Sequence, residues 1–476
     1  MGEMRVAILS PEAVPFAKVG GLADVSGALT KALHAAGVDS FLILPAYDQI
    51  DPALVNGVFI DDLEVQWRAA TNRVRVWQSE ILNAPTYFVD GPQYFVRGKI
   101  YGDKDDFERF AFFSRAAVAL IKRLGESPDV VHLNDWPCGF AAIELRARRR
   151  HEEFFARTRI LLSIHNIAYQ GLFDPANLWW LDFAAYADDF MFRGAASALK
   201  AGMIAADALS AVSPRYAQEI QTAEQGYGLE WLTRARRGRL AGITNGVDYE
   251  VWNPQTDPHI AANFSAHDLS GKHECKIDLL HRFHLPVEPE RPIIAIISRL
   301  VAQKGYDLIR EAAGDILDTG AFFIALGAGA DEYEDFLQGM HDAAPHRVGI
   351  YKGFAGEPLA HQIEAGADLF LMPSLYEPCG LNQMYSMRYG TVPIVRATGG
   401  LDDTVHDFDP TTNAGTGFKF GPYNAAAMLE KIREALYFYN QPEAWKTIQQ
   451  NGMATDHSWS SAAQKYIKLY ETIPRN

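Results

Sequence analysis

Short apolar runs alternate with amphipathic stretches along the first half of the chain. Val6–Ser10, Phe41–Leu44, Val130–Leu133, Ile160–Ile164 and Ala208–Val212 read as strands, with helical periodicity between them at Leu22–Ala36 and Asp106–Leu124. The alternation restarts at Ile293–Ser298, passes through a helix from Tyr306 to Leu317, and continues with strands at Phe322–Leu326, Arg347–Tyr351, Asp368–Met372 and Val392–Val395. Strands followed by helices in this order demand parallel pairing with crossover connections, so the pattern predicts an α/β protein with two doubly wound, Rossmann-like domains. The stretch Val251–Pro292 is less regular, carries Asn253-Pro254 and Asp257-Pro258, and reads as a junction with a short helix near Lys272–Phe283. The expected division is a first domain over 1–250, a second over 251–455, and a final helix within 456–476 returning to the first. Two such domains facing each other would leave a deep interdomain cleft between their strand ends, a natural place to join two substrates.

Composition narrows the class. A chain of 476 residues with a 48% hydrophobic and 22% charged content is that of a globular protein of more than one domain. A net charge of −15 argues against nucleic acid or an anionic membrane as the main partner. Cys138, Cys275 and Cys379 are widely spaced and form neither a zinc pattern nor a disulfide framework, which points to a reducing cytoplasm and to no metal site. No apolar run approaches the roughly 18–20 residues of a membrane span. The amino terminus carries Glu3 and enters a strand at once, so neither a signal nor a transit peptide is expected.

The candidate chemistry lies where strands end, the edge at which open α/β sheets bind ligands. After the first strand, Lys18-Val19-Gly20-Gly21-Leu22-Ala23-Asp24 opens a helix. Paired glycines there let backbone N–H groups approach an anion, with Lys18 as a point charge; the alternative is a tight turn with a solvated lysine. Another strand ends in Asn134-Asp135-Trp136, a carboxylate beside a ring that suits carbohydrate and equally suits a packing tryptophan over an N-cap aspartate. His165 and Asn166 follow a further strand and are suited either to sugar hydroxyls or to structural hydrogen bonds. In the second half Ser298-Arg299-Leu300 and Gln303-Lys304-Gly305 leave one strand end together, and two cations converging there suit a diphosphate; the alternative is a pair of surface charges on a loop.

Pro373–Val395 carries the most. A buried strand stops at Pro373, a carboxylate follows at Glu377, a small-residue turn at Cys379-Gly380, and a helix-compatible stretch begins near Gly380. Glu377 has no acidic neighbour, since Tyr385 stands eight positions on, so a paired-carboxylate glycosidase mechanism has no local support. A capping role for Glu377 is the alternative. Cys379 lacks a nearby base and reads as a backbone contact rather than a nucleophile.

Together these motifs resemble the bacterial glycogen synthases and plant starch synthases, retaining glucosyltransferases of the GT-B fold. The match runs over nearly the whole chain through Lys18–Asp24, His165–Gly171, Asn245-Gly246-Val247-Asp248 with Trp252-Asn253-Pro254, Ser298–Leu300, Gln303–Gly305, Tyr376–Gln383, Thr398–Leu401 and Ser458-Trp459. The resemblance implies transfer of glucose from ADP-glucose to the non-reducing end of an α-1,4-glucan in glycogen biosynthesis, with no metal and no cofactor. It gives catalytic roles to Glu377, His165, Arg299 and Lys304. Substrate contacts fall to Lys18, Gly20, Gly21, Asp24, Asp135, Asn166, Asn245 and the backbone at Cys379, Gly380 and Leu381.

Three positions depart from the family pattern. Val19 stands where Thr is usual, and Pro137-Cys138 follow Asn134-Asp135-Trp136 where a His or Gln often comes first. The loop Gly353-Phe354-Ala355-Gly356-Glu357 is one residue longer than usual and makes Phe354 the candidate adenine platform. Two other functions compete: a glucosyltransferase with a small soluble acceptor, and a non-catalytic glucan-binding regulator, which loss of the cations or of Glu377 would mark. A phosphorylase using pyridoxal phosphate shares the layout, but no matching cofactor-lysine motif is present.

Overall fold

The apolar runs pair side by side. The computed structural model describes residues 4–55, 58–353 and 356–474. Its first strands are β1 (Arg5–Leu9), β2 (Asp39–Pro45), β3 (Val58–Trp67), β4 (Ala70–Ser79), β5 (Thr86–Asp90), β6 (Val130–Asn134) and β7 (Arg159–Ile164). After them β8 (Leu172–Phe173), β9 (Met191–Phe192) and β10 (Ala195–Ser197) make a small antiparallel sheet of their own, and β11 (Ala208–Ala211) and β12 (Leu240–Gly242) rejoin the main one. The main sheet runs β12-β11-β7-β6-β1-β2-β5-β4-β3. Its strands are parallel except at the β3–β4–β5 end, where pairing is antiparallel. Leu9 lies level with Ile43 on one side and Leu133 on the other, so β1, β2 and β6 present their carboxyl ends on one edge. The chain leaves β1 toward β2 and later resumes at β6 on the opposite flank. β1 and β6 therefore bracket a topological switch point.

The second half repeats the scheme with β13 (Ile293–Ile297), β14 (Phe322–Gly327), β15 (Val348–Lys352), β16 (Leu369–Met372), β17 (Val392–Arg396) and β18 (Phe418–Phe420). All pairs are parallel in the order β15-β14-β13-β16-β17-β18, and the switch falls between β13 and β16. Strands covered on both faces are near-continuous apolar runs, which is why they stand out in the sequence. Ile294, Ile296, Phe323, Leu369, Leu371 and Ile394 pack there with Met428 and Ile432 from the helix Ala425–Tyr439. Each such side chain contributes about 1.5–3 kcal/mol by its burial.

Two compact units result. One comprises the chain up to Gly246 together with the stretch from Trp459 onward, and the other is Val247–Ser458. The two crossings are tied to each other by the Val247 N–H, which donates to the His457 carbonyl at 2.7 Å. In the first unit the helix Trp459–Thr472 packs on the helix Gly21–Ala35. Tyr470 there bonds through its hydroxyl to His132 Nδ1 at 2.9 Å, and its carbonyl accepts from Arg159.

Several elements differ from expectation. The β3–β4 hairpin and the small antiparallel sheet lie where no strand was foreseen. The helix expected over Tyr306–Leu317 is broken at Ala312 into Tyr306–Glu311 and Ala313–Asp318. The helix expected near Gly380 starts at Asn382. No helix of the described residues is long and apolar enough to cross a membrane.

Candidate active site

At the switch of the second unit, β13 and β16 release two loops that are clasped together. The Leu375 N–H donates to the Gln303 carbonyl at 2.8 Å, and Gln303 Nε2 donates to the Tyr376 carbonyl at 3.1 Å. Arg396, at the end of β17, donates to the Ser374 and Leu375 carbonyls at 3.2 and 2.5 Å. Gly305 has φ +80°, and a Cβ there would lie 2.2 Å from the Pro373 carbonyl oxygen. Gly399 has φ +44°, and a Cβ there would lie 1.9 Å from the Glu377 carbonyl oxygen. Only backbone fits between these loops. Their conformation is over-determined from three sides, and Glu377 stands in the middle.

The Lys304 ammonium donates to Glu377 Oε2 at 2.6 Å, and Ser374 Oγ donates to the same oxygen at 3.0 Å. Glu377 and Ser374 are buried, while the Lys304 side chain is 18% exposed. An ammonium has three donors and gives one of them to Glu377, so donors are left for a second anion. Arg299 is exposed on the same loop, with Nη2 3.5 Å from Gln303 Oε1. Beyond Glu377, the N–H groups of Gly380 and Leu381 donate to no protein acceptor among the described residues. The Cys379 thiol is buried.

At the switch of the first unit, the ends of β1, β6 and β7 carry a polar cluster. Asn134 Nδ2 donates to the Leu9 carbonyl at 2.9 Å, which turns its Oδ1 toward His165 Nε2, also at 2.9 Å. Nε2 must then carry the proton, leaving Nδ1 as an acceptor. Burial pushes the His165 imidazole down to about 3, so it is neutral at ordinary pH and acts by hydrogen bonding rather than as a cation. Asp135 Oδ1 accepts from the His165 and Asn166 N–H groups at 2.7 and 3.4 Å. Burial raises that carboxyl to about 7 against the pull of those two donors. The Asp135 side chain makes no cap bond to the short helix that follows it. Trp136 lies against Gly171, where a Cβ would meet its ring at 2.2 Å, and meets Phe110 edge-on at 5.1 Å. The tryptophan packs, and the aspartate holds the turn after β7 instead of capping a helix.

The glycine turn of this unit departs from expectation. The Val19 and Gly20 N–H groups both donate to Glu12 Oε2, at 2.6 and 3.1 Å, and so are spent on a buried carboxylate rather than offered to an anion. Lys18 pairs with Asp24 at 2.7 Å on the surface.

Comparison with known proteins agrees with this architecture. Residues 5–235 match the starch synthase catalytic domain, and residues 279–451 match the glycosyl transferases group 1. Glycogen synthase of Koribacter versatilis is 44% identical over 98% of this chain and 98% of its own. That of Geobacillus stearothermophilus is 42% identical over 99% and 98%. This chain belongs to the glycogen and starch synthase family. Among solved structures, the catalytic domain of starch synthase IV from Arabidopsis thaliana bound to ADP and acarbose superposes with a TM-score of 0.92 at 35% identity, over 99% of each chain. Sucrose-phosphate synthase from Thermosynechococcus elongatus shares the fold alone, with a TM-score of 0.62 at 20% identity. The protein is a glycosyltransferase, and its two Rossmann-like units are those of the GT-B fold.

The positions that match the family's motifs divide between the units. Lys18, Gly20, Gly21, Asp24, Asp135, His165, Asn166 and Asn245 lie in the first, and Arg299, Lys304, Glu377, Cys379, Gly380 and Leu381 in the second. Asn245 is buried, and its Oδ1 has no hydrogen-bond partner among the described residues. Phe354 lies outside the described residues. No cluster of three or more His, Cys, Asp or Glu suited to a metal occurs among the described residues. Glu12 and Arg396 escaped the sequence reading, while Asn134, Gln303 and Ser374 lay within motifs it quoted but were given no role. Ser374 carried a signal in its place three residues before Glu377 at a strand end.

The Asp135 carboxyl makes a testable pH signature for this glycosyltransferase. Its charged form is the better acceptor for the two N–H groups, so donor kcat/KM is expected to fall as pH drops through about 7. Stability moves the opposite way. A carboxyl whose pKa is raised by folding stabilises the fold below its ordinary 3.8, and that contribution is lost as pH rises through about 7. Asp135→Asn should flatten both profiles, read by pH–rate curves and by Tm against pH.

Proposed function

We propose that the protein transfers glucose from ADP-glucose to the non-reducing end of an α-1,4-glucan, glycogen or a maltooligosaccharide, with retention of configuration. The observation that carries the reading is the Lys304–Glu377 pair at the switch point of the second unit, with Arg299 on the same loop. Breaking a glucosyl–phosphate bond leaves negative charge on the departing diphosphate and builds positive charge on the sugar. Lys304 and Arg299 stabilise the first, a role metals fill elsewhere, and the Glu377 carboxylate favours the second. Lys18 adds a further phosphate contact by exchanging Asp24 for the ligand. His165 Nδ1 and Asn166 accept and donate to sugar hydroxyls, with Asp24, Gly20, Gly21, Asp135 and Asn245 around the donor or acceptor and the Gly380 and Leu381 N–H groups on the donor. In this reading residues 1–250 form the acceptor side and residues 251–455 the nucleotide-sugar side of a cytoplasmic enzyme that needs no cofactor.

Glu377 does not act as a nucleophile here. Its Oε2 is engaged by Lys304 and Ser374, and Tyr385, eight residues on, is stacked 3.8 Å from Trp252. A front-face displacement, in which a leaving phosphate oxygen takes the acceptor's proton, fits a carboxylate so held. The test is a donor comparison, ADP- against UDP-glucose with glycogen as acceptor and the product linkage determined. Labelled glucose is expected in α-1,4-glucan from ADP-glucose. A preference for UDP-glucose would overturn the donor, and label in a soluble disaccharide would overturn the acceptor. A glucosyl adduct on any side chain would overturn the front-face step.

A further inference from the structure

Glu12 is a buried acid that the chemistry above does not use. It follows β1 by three residues and so stands at the switch point of the first unit, 3% exposed. Its Oε2 accepts from the Val19 and Gly20 N–H groups, and its Oε1 accepts from the Tyr101 hydroxyl at 3.0 Å. One carboxylate thus joins both ends of the loop between β1 and the helix Gly21–Ala35 to the segment that precedes the helix Asp106–Arg123. Asp135 and Asp24 lie close enough for their charges to act on it or be acted on by it.

Side-chain packing does not explain this arrangement. Val19 is 57% exposed, so its own side chain does not hold the loop in place. Burial opposes the charge on Glu12 and raises its pKa, so the contact is kept against a desolvation cost. What the carboxylate adds is one fixed conformation for Lys18, Val19 and Gly20. It also settles what that loop can offer a ligand: the Lys18 ammonium remains, whereas the Val19 and Gly20 N–H groups are taken.

We propose that Glu12 is a positioning residue for the sugar-nucleotide donor, acting through the Lys18–Gly20 loop. The proposal rests on the reading that this loop meets the donor. Glu12→Ala is expected to raise the donor KM about tenfold, the equivalent of one charge-assisted hydrogen bond, while the glucan KM stays within about twofold. Glu12→Gln keeps an oxygen for the two N–H groups and an NH₂ for the Tyr101 oxygen, so its donor KM should return to within about threefold of wild type. Amide hydrogen exchange at Val19 and Gly20 should quicken in Glu12→Ala and stay slow in Glu12→Gln. The kinetics use whichever of ADP- and UDP-glucose the wild type accepts, so wild-type turnover tests the donor reading and the variants test Glu12. An unchanged donor KM in Glu12→Ala, a parallel rise in both KM values, or a Gln variant no better than Ala would overturn the role.

Discussion

Lys304→Ala is expected to lower kcat by about 10²–10³-fold, the usual consequence of removing one preorganised charge from a site where negative charge develops. Glu377→Ala should fall at least as far, since it removes both the carboxylate and the anchor that holds the Lys304 ammonium at 2.6 Å. The losses should not add in the double variant, because the two groups act as a unit. Stability separates the single variants. Removing Lys304 leaves a buried carboxylate with Ser374 as its remaining side-chain donor, whereas removing Glu377 leaves a lysine already 18% exposed that can turn to water. Breaking a fully buried pair costs about 3–5 kcal/mol, and Lys304→Ala should approach the lower end of that range. Steady-state kcat at saturating donor and glucan, beside urea unfolding, gives both numbers. A cleanly folded Glu377→Ala protein with wild-type turnover would remove this residue from the chemistry.

Gly399→Ala should be the most damaging single methyl group in the second unit. At φ +44° an L-residue is strained by about 1–2 kcal/mol. The new Cβ would also sit 1.9 Å from the Glu377 carbonyl oxygen, closer than any contact can survive. The neighbour is backbone, so relief requires the Glu377 loop itself to move. A displacement of about 1 Å at a reacting centre costs on the order of 10²-fold in rate. Turnover is therefore expected to collapse more than the fold does. Gly314→Ala is the control: nothing lies within 4 Å of its added Cβ in the helix Ala313–Asp318, and helix propensity should stabilise it by up to about 1 kcal/mol. Near-normal kcat in Gly399→Ala would show that the Glu377 loop tolerates movement.

The parallel strands could be read from the chain because burial on both faces makes them predominantly apolar, with few polar positions such as His132 and Ser163. The β3–β4 hairpin could not. Its turn places Arg68 at φ +53° and Ala69 at φ +57°, a geometry that normally announces itself through Asn-Gly or Asp-Gly. Lys304 and Glu377 were each visible as charges at strand ends, but their partnership joins positions 73 residues apart and comes from β13 lying beside β16. The glycine turn was visible, while the reason its N–H groups are unavailable was not. Glu12 sits between Pro11 and Ala13 with no spacing to mark it, and only burial and the reach of its side chain give it a role. Asp135 and Trp136 left two readings open from sequence; the contacts with Gly171 and His165 show a packed tryptophan and an aspartate that holds the turn after β7, which neither reading described in full.

The first unit is discontinuous in the chain, and that sets an order of events on the ribosome. Residues up to Gly246 emerge first, the whole of Val247–Ser458 follows, and only then does the helix Trp459–Thr472 appear. The second unit therefore has its full complement of residues before the first does. Until that helix has been synthesised, the Tyr470 hydroxyl that bonds His132 is missing. The nascent first unit is in effect a receptor whose ligand is a later helix of its own polypeptide.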